Sequence, residues 1–352
     1  MEQTTHMKQF SSDIQVFLGT RQVSRQILRE VESTKSKFES SKNYELKVSM
    51  HSLITILSNE LEEFGKIKVS ESATNFDFRD LKLDQAQIET IVPTSRNISD
   101  IKLQLIKSFQ MKSTHKLEIT GCVILPNGNL LMANDTEENH LIEYSDAGEH
   151  IRDIPVSGPP YDIDRIDLDR IVVTYGDALY IEIMNCKTFN VEKKISLQHS
   201  CLKVSQEDGR LYVVYGKAKI QVMDISGNQI ETLKITSEGI TCIKTSRQKI
   251  YYADYSTKEV HCFRLNGEEL WKLECDSIKF PYDITLDSYH NVYVVGCVSN
   301  NISIIQHDGK NSKTLLTESD GLYHPTALDF DTDKKTLLIC NEEGNVALYK
   351  FV

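Results

Sequence analysis

The stretch Leu211-Tyr-Val-Val-Tyr215, read beside Ile250-Tyr-Tyr-Ala-Asp254, decides the fold. Each is a short apolar and aromatic run that forms the second strand of a repeat, with an alternating strand before it and a polar turn on either side. Working outward, the matching anchors are Leu130, Ile171, Leu211, Ile250, Val292 and, more weakly, Thr336, separated by 41, 40, 39, 42 and 44 residues. That spacing is a propeller period. Turns between strands are explicit at Pro126-Asn-Gly128, Asp146-Ala-Gly148, Ser226-Gly227-Asn228, Asn266-Gly267 and Asp308-Gly309, so each unit holds three or four short strands. Period-two alternation between such turns is the pattern of an antiparallel meander, which helical solenoids of similar period lack.

Six anchors predict an all-β six-bladed propeller over residues 102–352, but the last repeat runs out of chain. Pro325 to Phe330, Thr336 to Cys340 and Val346 to Val352 supply only three strands. The fourth has a candidate at the other end of the domain, Leu103-Gln-Leu-Ile-Lys-Ser-Phe-Gln110, which alternates well and precedes the first full repeat. The ring is therefore expected to close with this strand, which hides two sheet edges that would otherwise template aggregation.

The chain of 352 residues is 40% apolar, enough for a large buried core. No run reaches the roughly 18 apolar residues of a membrane span, and Met1-Glu-Gln-Thr-Thr-His6 lacks the basic and apolar regions of a secretory leader. The formal charge is −11, and residues 101–352 carry 27 Lys and Arg against 36 Asp and Glu. An acidic propeller repels phosphate backbones on average, which disfavours RNA. All eight cysteines lie between Cys122 and Cys340 with no Cys-x-x-Cys pair, so zinc motifs are absent. Reduced thiols packed as small apolar side chains, in a cytoplasmic protein, are the expectation.

The first hundred residues read differently. Met7, Phe10, Ile14, Phe17, Leu28, Val31 and Phe38 fit one heptad register, interrupted by Arg21, Ser24 and Lys35. A second helix is predicted from Tyr44 to Phe64, ending at Gly65. Residues 1–65 thus read as an α-helical coiled-coil or hairpin segment, with Met7, Phe10, Ile14, Phe17, Leu28 and Val31 as the dimerisation seam of a homodimer. Packing of the same stripe within its own chain is the plainer reading. Residues 66–101 read as a connector with short strands such as Ile67-Lys-Val69.

Two stretches carry a family resemblance: His6-Met-Lys-Gln-Phe10 through Leu18-Gly-Thr-Arg-Gln22, and Phe280-Pro-Tyr-Asp-Ile-Thr-Leu-Asp287 with Asn291-Val-Tyr-Val-Val295, whose theme returns at His324-Pro-Thr-Ala-Leu-Asp329. A helical segment followed by such repeats resembles the C-terminal part of tripartite-motif (TRIM) proteins with an NHL-like six-bladed propeller. The family's RING and B-box use Cys and His zinc ligands, and nothing before Cys122 is Cys. The resemblance therefore implies the substrate-recognition half of a ubiquitin-pathway protein without ligase activity of its own.

Pro160-Tyr-Asp-Ile-Asp-Arg-Ile-Asp-Leu-Asp169 is the densest carboxylate cluster. It lacks the glycine and distal glutamate of a calcium loop, and alternation sends Asp162 and Asp164 to one side of a first strand while Asp167 and Asp169 cap a turn. No metal or cofactor is expected. A calcium-dependent propeller hydrolase would need Glu, Asn and Asp meeting at the axis with a His base, yet His199, His261, His290, His307 and His324 share no offset. The tyrosines are more suggestive. Tyr161, Tyr282 and Tyr323 stand at or just before first strands, and Tyr175, Tyr215 and Tyr255 at or just after second strands, offsets that meet at one mouth of a propeller. Tyrosine is common in strands, which is the plain explanation. The alternative is an aromatic rim that binds a partner. The expectation is a non-catalytic scaffold whose propeller recognises a protein, with RNA recognition the alternative and a calcium-dependent hydrolase a more distant one.

Overall fold

The computed structural model describes residues 45–47, 68–70 and 98–351, with residues 114, 115, 217, 218, 234, 236 and 238 excepted. In the N-terminal part, Glu45–Lys47 pairs antiparallel with Lys68–Ser70. The predicted second helix is corrected at its start, where Glu45–Lys47 is a strand bonded to the end of the Ile67-Lys-Val69 run. The rest of that helix and the coiled-coil seam from Met7 to Val31 lie outside the described residues.

Residues from Leu103 onward form six four-stranded antiparallel sheets arranged as a six-bladed β-propeller. Blade 1 comprises Ile119–Ile124, Leu130–Asn134, His140–Tyr144 and His150–Pro155. The first and second strands of the following blades are Asp162–Arg165 and Arg170–Thr174, Cys201–Glu207 and Arg210–Tyr215, Ile240–Ser246 and Lys249–Asp254, Pro281–Leu286 and Val292–Gly296, and Pro325–Asp331 and Thr336–Asn341. Each first strand packs beside the first strands of its two neighbours, so these six line the axis. The last blade takes its outer strand from Leu103–Gln110, which pairs with Asn345–Phe351 from Asn345↔Gln110 to Phe351↔Leu103. The ring closes as the alternation predicts.

Both faces of every blade are covered, so second strands read as continuous apolar runs. Leu211 and Val213 enter the core between blades 2 and 3, while Tyr212 and Val214 enter the core between blades 3 and 4. Six such interblade cores carry the packing. The sixth anchor is corrected from Thr336 to Leu337. Thr336 is half-exposed and pairs with Asp331, whereas Leu337 is fully buried opposite Phe330, because the turn between them is one or two residues longer than in the other blades. Ile98 and Ile101 also enter the core between blades 5 and 6, and Lys313 Nζ bonds the carbonyls of Ser99 and Ile101 at 3.1 Å each.

Gly128, Gly148, Gly227, Gly267 and Gly309, the glycines of the five predicted turns, all have positive φ, the conformation for which a residue without Cβ is suited. All eight cysteines are free thiols; seven are buried and Cys297 is half-buried. Among the described residues, no helix is long and apolar enough to cross a membrane.

Candidate functional site

The site forms where first strands begin and second strands end. In five blades the pairing between these strands slips at one position, between Ile119 and Gly121, Cys201 and Lys203, Ile240 and Cys242, Pro281 and Asp283, and Pro325 and Ala327. Blade 2 shows the same bulge, since Asp162 pairs with Thr174 and the Tyr161 amide donates to the Thr174 carbonyl at 2.8 Å. A bulge breaks strict alternation and re-aims the extra side chain. Here it frees Tyr161 and Tyr282 to meet over the axis, hydroxyl to hydroxyl at 3.2 Å.

Beneath the pair lies a buried ionic layer. The Lys203 ammonium, 1% exposed, donates to the Thr120 carbonyl at 3.0 Å and to Asp162 Oδ1 at 3.2 Å, and stands 3.5 Å from Asp283 Oδ1. The rings of Tyr161 and Tyr282 lie 5.9 and 5.7 Å from it, within cation–π range. One strand period deeper, Lys244 Nζ donates to Asp164 Oδ1 at 2.8 Å. Between the layers is a cavity of about 10 Å³ lined by Cys122, Asp162, Asp164, Lys244, Asp283 and Asp329, room for roughly one water.

The same carboxylates stitch the blades together. Inner strands of adjacent blades do not share a backbone ladder, so their amides take side-chain partners. Asp162 accepts from the Val204 amide at 3.1 Å, Asp164 from Gln206 at 2.8 Å, Asp283 from Leu328 at 3.0 Å and Asp329 from Ile124 at 2.8 Å. Ser205 does the same for Thr245 at 3.0 Å. Gly121 makes room for this arrangement, because a Cβ there would lie 2.9 Å from Asp162 Cα.

Burial raises Asp162 to about 7; the attraction of Lys203 falls short of the desolvation, and repulsion from Asp283 adds to it. Burial also works against the Lys203 ammonium, but Asp162 and Asp283 outweigh it and hold its pKa well above the ordinary lysine range. Lys203 is thus a fixed cation facing two carboxyls, one of which can hold a proton near neutrality. Asp329 is raised by burial as well. Asp167 and Asp169 stay in their turn, where Asp167 accepts the Asp169 amide at 2.9 Å and the Arg170 guanidinium at 2.7 Å. Among the described residues, no group of three or more His, Cys, Asp or Glu side chains is disposed to hold a metal ion.

The six tyrosines divide. Tyr161 and Tyr282 are half-buried at the mouth, and Tyr215 is half-buried with its ring stacked on His199 at 4.9 Å. Tyr255 and Tyr323 are 38% and 50% exposed. Tyr175 is not on the rim: it is buried, and its hydroxyl donates to Glu182 Oε2 at 2.6 Å. The rim also holds Phe280, which the sequence reading passed over. Phe280 is 42% exposed, and its ring centroid lies 5.6 Å from that of Tyr255 and 6.2 Å from that of Tyr282. Tyr255, Phe280, Tyr282 and Tyr161 therefore form an aromatic track from the rim to the axis. Phe280 has φ +55°, and His324, at the matching place in blade 6, has φ +42°. Both precede a proline, where backbone freedom is already restricted. A bulky residue in the left-handed region costs about 1–2 kcal/mol.

No protein-family model matches the sequence, and no curated protein sequence matches it. Solved structures resemble it in fold. Selenomethionine-substituted virginiamycin B lyase from Staphylococcus aureus is 11% identical with a TM-score of 0.55, covering 72% of this chain and 100% of that chain. A catalytically inactive variant of the same lyase, solved with quinupristin, is 11% identical with a TM-score of 0.54 over the same shares. At this identity the likeness is one of fold alone.

Proposed function

We propose that this chain is a non-catalytic recognition scaffold whose propeller binds a protein partner through the aromatic face. The observation that carries the reading is Phe280. An exposed phenylalanine held in left-handed backbone contributes strain and leaves apolar surface in water, which is the opposite of what folding stability favours. Such strain is characteristic of functional surfaces, and large aromatic side chains are enriched at the centres of protein interfaces. The ionic axis beneath is occupied by its own side chains, with space of about one water, which supports recognition on the face over chemistry within the channel. The acidic balance favours protein over RNA as partner. The resemblance to the recognition half of TRIM proteins points the same way.

The test is affinity enrichment by the full chain from cell extract, with protein and RNA both read out, beside a Phe280→Asp variant of unchanged far-ultraviolet circular dichroism. The expected result is a protein recovered by the wild type and lost by the variant. Recovery of RNA as the main species, or equal recovery by both chains, overturns the reading.

A further inference from the structure

The charge of this face specifies what kind of segment it takes; the inference rests on the recognition reading above and goes on to the partner's chemistry. The aromatic track runs from blades 4 and 5 to the axis, and blade 6 adds Tyr323 at the same end of the ring, its ring stacked on His324 at 4.6 Å. His324 then meets Glu342 at 3.3 Å. From that contact the same face turns acidic. Glu342 and Glu343 of blade 6, Asp135, Glu137 and Glu138 of blade 1 and Asp177 of blade 2 all lie in loops that join second to third strands, at the end of the ring where Tyr255 and Phe280 lie. Glu137, Glu138, Asp177 and Glu343 are exposed. Beside the arc, Lys116 is bonded to Glu118 at 2.9 Å and the His140 ring stands 3.7 Å from Glu138. The acids crowd one another: burial and then repulsion from Glu118 and Asp177 raise Asp135 above the usual carboxylate range. A cation entering this arc would relieve the repulsion.

We infer that the occupant is an extended basic segment of a partner protein, with an apolar or aromatic side chain against Phe280 and Tyr323 and Lys or Arg side chains over the arc from Glu342 to Asp177. Charge complementarity selects it. A phosphate backbone would meet like charge along the same arc, and an acidic peptide would meet it as well. An uncharged apolar segment would leave the mutual repulsion of the acids in place. Rim charges of this kind act mainly through encounter rate and choice of partner, while the aromatic contacts supply the residence time.

The test is selection of a random 12-residue peptide library on the immobilised full chain, followed by titration of the recovered peptides as synthetic probes. Recovered sequences should carry excess Lys and Arg together with at least one large apolar side chain, and their affinity should fall as salt rises. Phe280→Asp should weaken them by at least about tenfold. The double variant Asp135→Asn with Glu342→Gln, which keeps the size of both side chains, should weaken them roughly fivefold at low salt, the size expected of two rim charges. Recovery of neutral or acidic peptides that are still lost on Phe280→Asp overturns the basic-segment inference and leaves the recognition face standing. Peptides indifferent to Phe280→Asp, an empty selection, or tighter binding of a random RNA pool than of any recovered peptide overturn the inference outright.

Discussion

Tyr161 of blade 2 and Tyr282 of blade 5 touch through their hydroxyls, 3.2 Å apart, and so span the mouth between blades on opposite sides of the ring. The pair roofs Lys203, and burial pushes the Tyr282 phenol up, with Tyr161 adding to the shift. Each hydroxyl satisfies the other. Tyr282→Phe should therefore cost about 1 kcal/mol in urea denaturation, and adding Tyr161→Phe should cost little more, since the partner group is already unpaired. Fully additive losses would show that the two hydroxyls act independently.

Lys203→Met should destabilise the propeller by about 3–5 kcal/mol, because it leaves Asp162 and Asp283 buried without their cation. Adding Asp162→Asn should recover part of the loss, since the amide oxygen can still accept from Val204 while one uncompensated charge is removed. If the single substitution leaves the denaturation midpoint unchanged, Lys203 is not compensating those carboxylates.

The raised pKa of Asp162 sets the sign of a pH effect. Its folded value, about 7, exceeds the ordinary carboxyl value near 3.9, so between the two the folded state holds a proton that the unfolded chain has released. This contribution to stability is fully present below about pH 4 and is lost as pH rises through about 7. Wild type should lose stability relative to Asp162→Asn between about pH 4 and pH 7 in equilibrium denaturation. A difference that is flat, or that grows in the opposite direction, contradicts the assignment.

Phe280→Gly separates strain from packing. Glycine accepts φ +55° without steric cost, so the substitution should leave stability unchanged or raise it by up to about 1 kcal/mol, after its greater unfolded-state entropy is subtracted. The same change should abolish partner recovery. A fall of more than about 2 kcal/mol would make Phe280 a packing residue instead.

A chain beginning at residue 115 lacks Leu103–Gln110 and should expose both the edge of Asn345–Phe351 and the cores that receive Leu103 and Phe109. Its thermal unfolding should occur at a lower temperature and over a broader range than that of a chain beginning at residue 98. Matching cooperative transitions would mean that the outer strand is dispensable.

The repeat was legible because its signals are local: period-two runs, glycine turns and a last blade short of one strand. The tyrosine offsets were half legible. They identify a shared end of the ring, but Tyr175 and Tyr255 occupy the same offset, and Tyr175 is buried by packing in the core between blades 1 and 2 with Glu182 taking its hydroxyl. The axis left no local signal. Lys203, Lys244, Asp283 and Asp329 come from four different blades, and a lysine in a strand reads as solvated until the ring brings carboxylates to it. A hint at Phe280 was present in the Phe-Pro and His-Pro pairs that open blades 5 and 6, where the chain before a proline is restricted.

The pairing of Leu103–Gln110 with Asn345–Phe351 also fixes an order of events during synthesis. The strand that shuts the ring is among the earliest parts of the propeller to leave the ribosome, and its partner is among the last. Until then it has no mate, and no arc of completed blades can become a ring. The propeller therefore stays an open series of meanders with two bare ends until Asn345–Phe351 emerges, dependent on slow, long-range pairing from that point. Demand for chaperones should be greatest at that moment, and a ribosome stalled within the last blade would yield a product that cannot close.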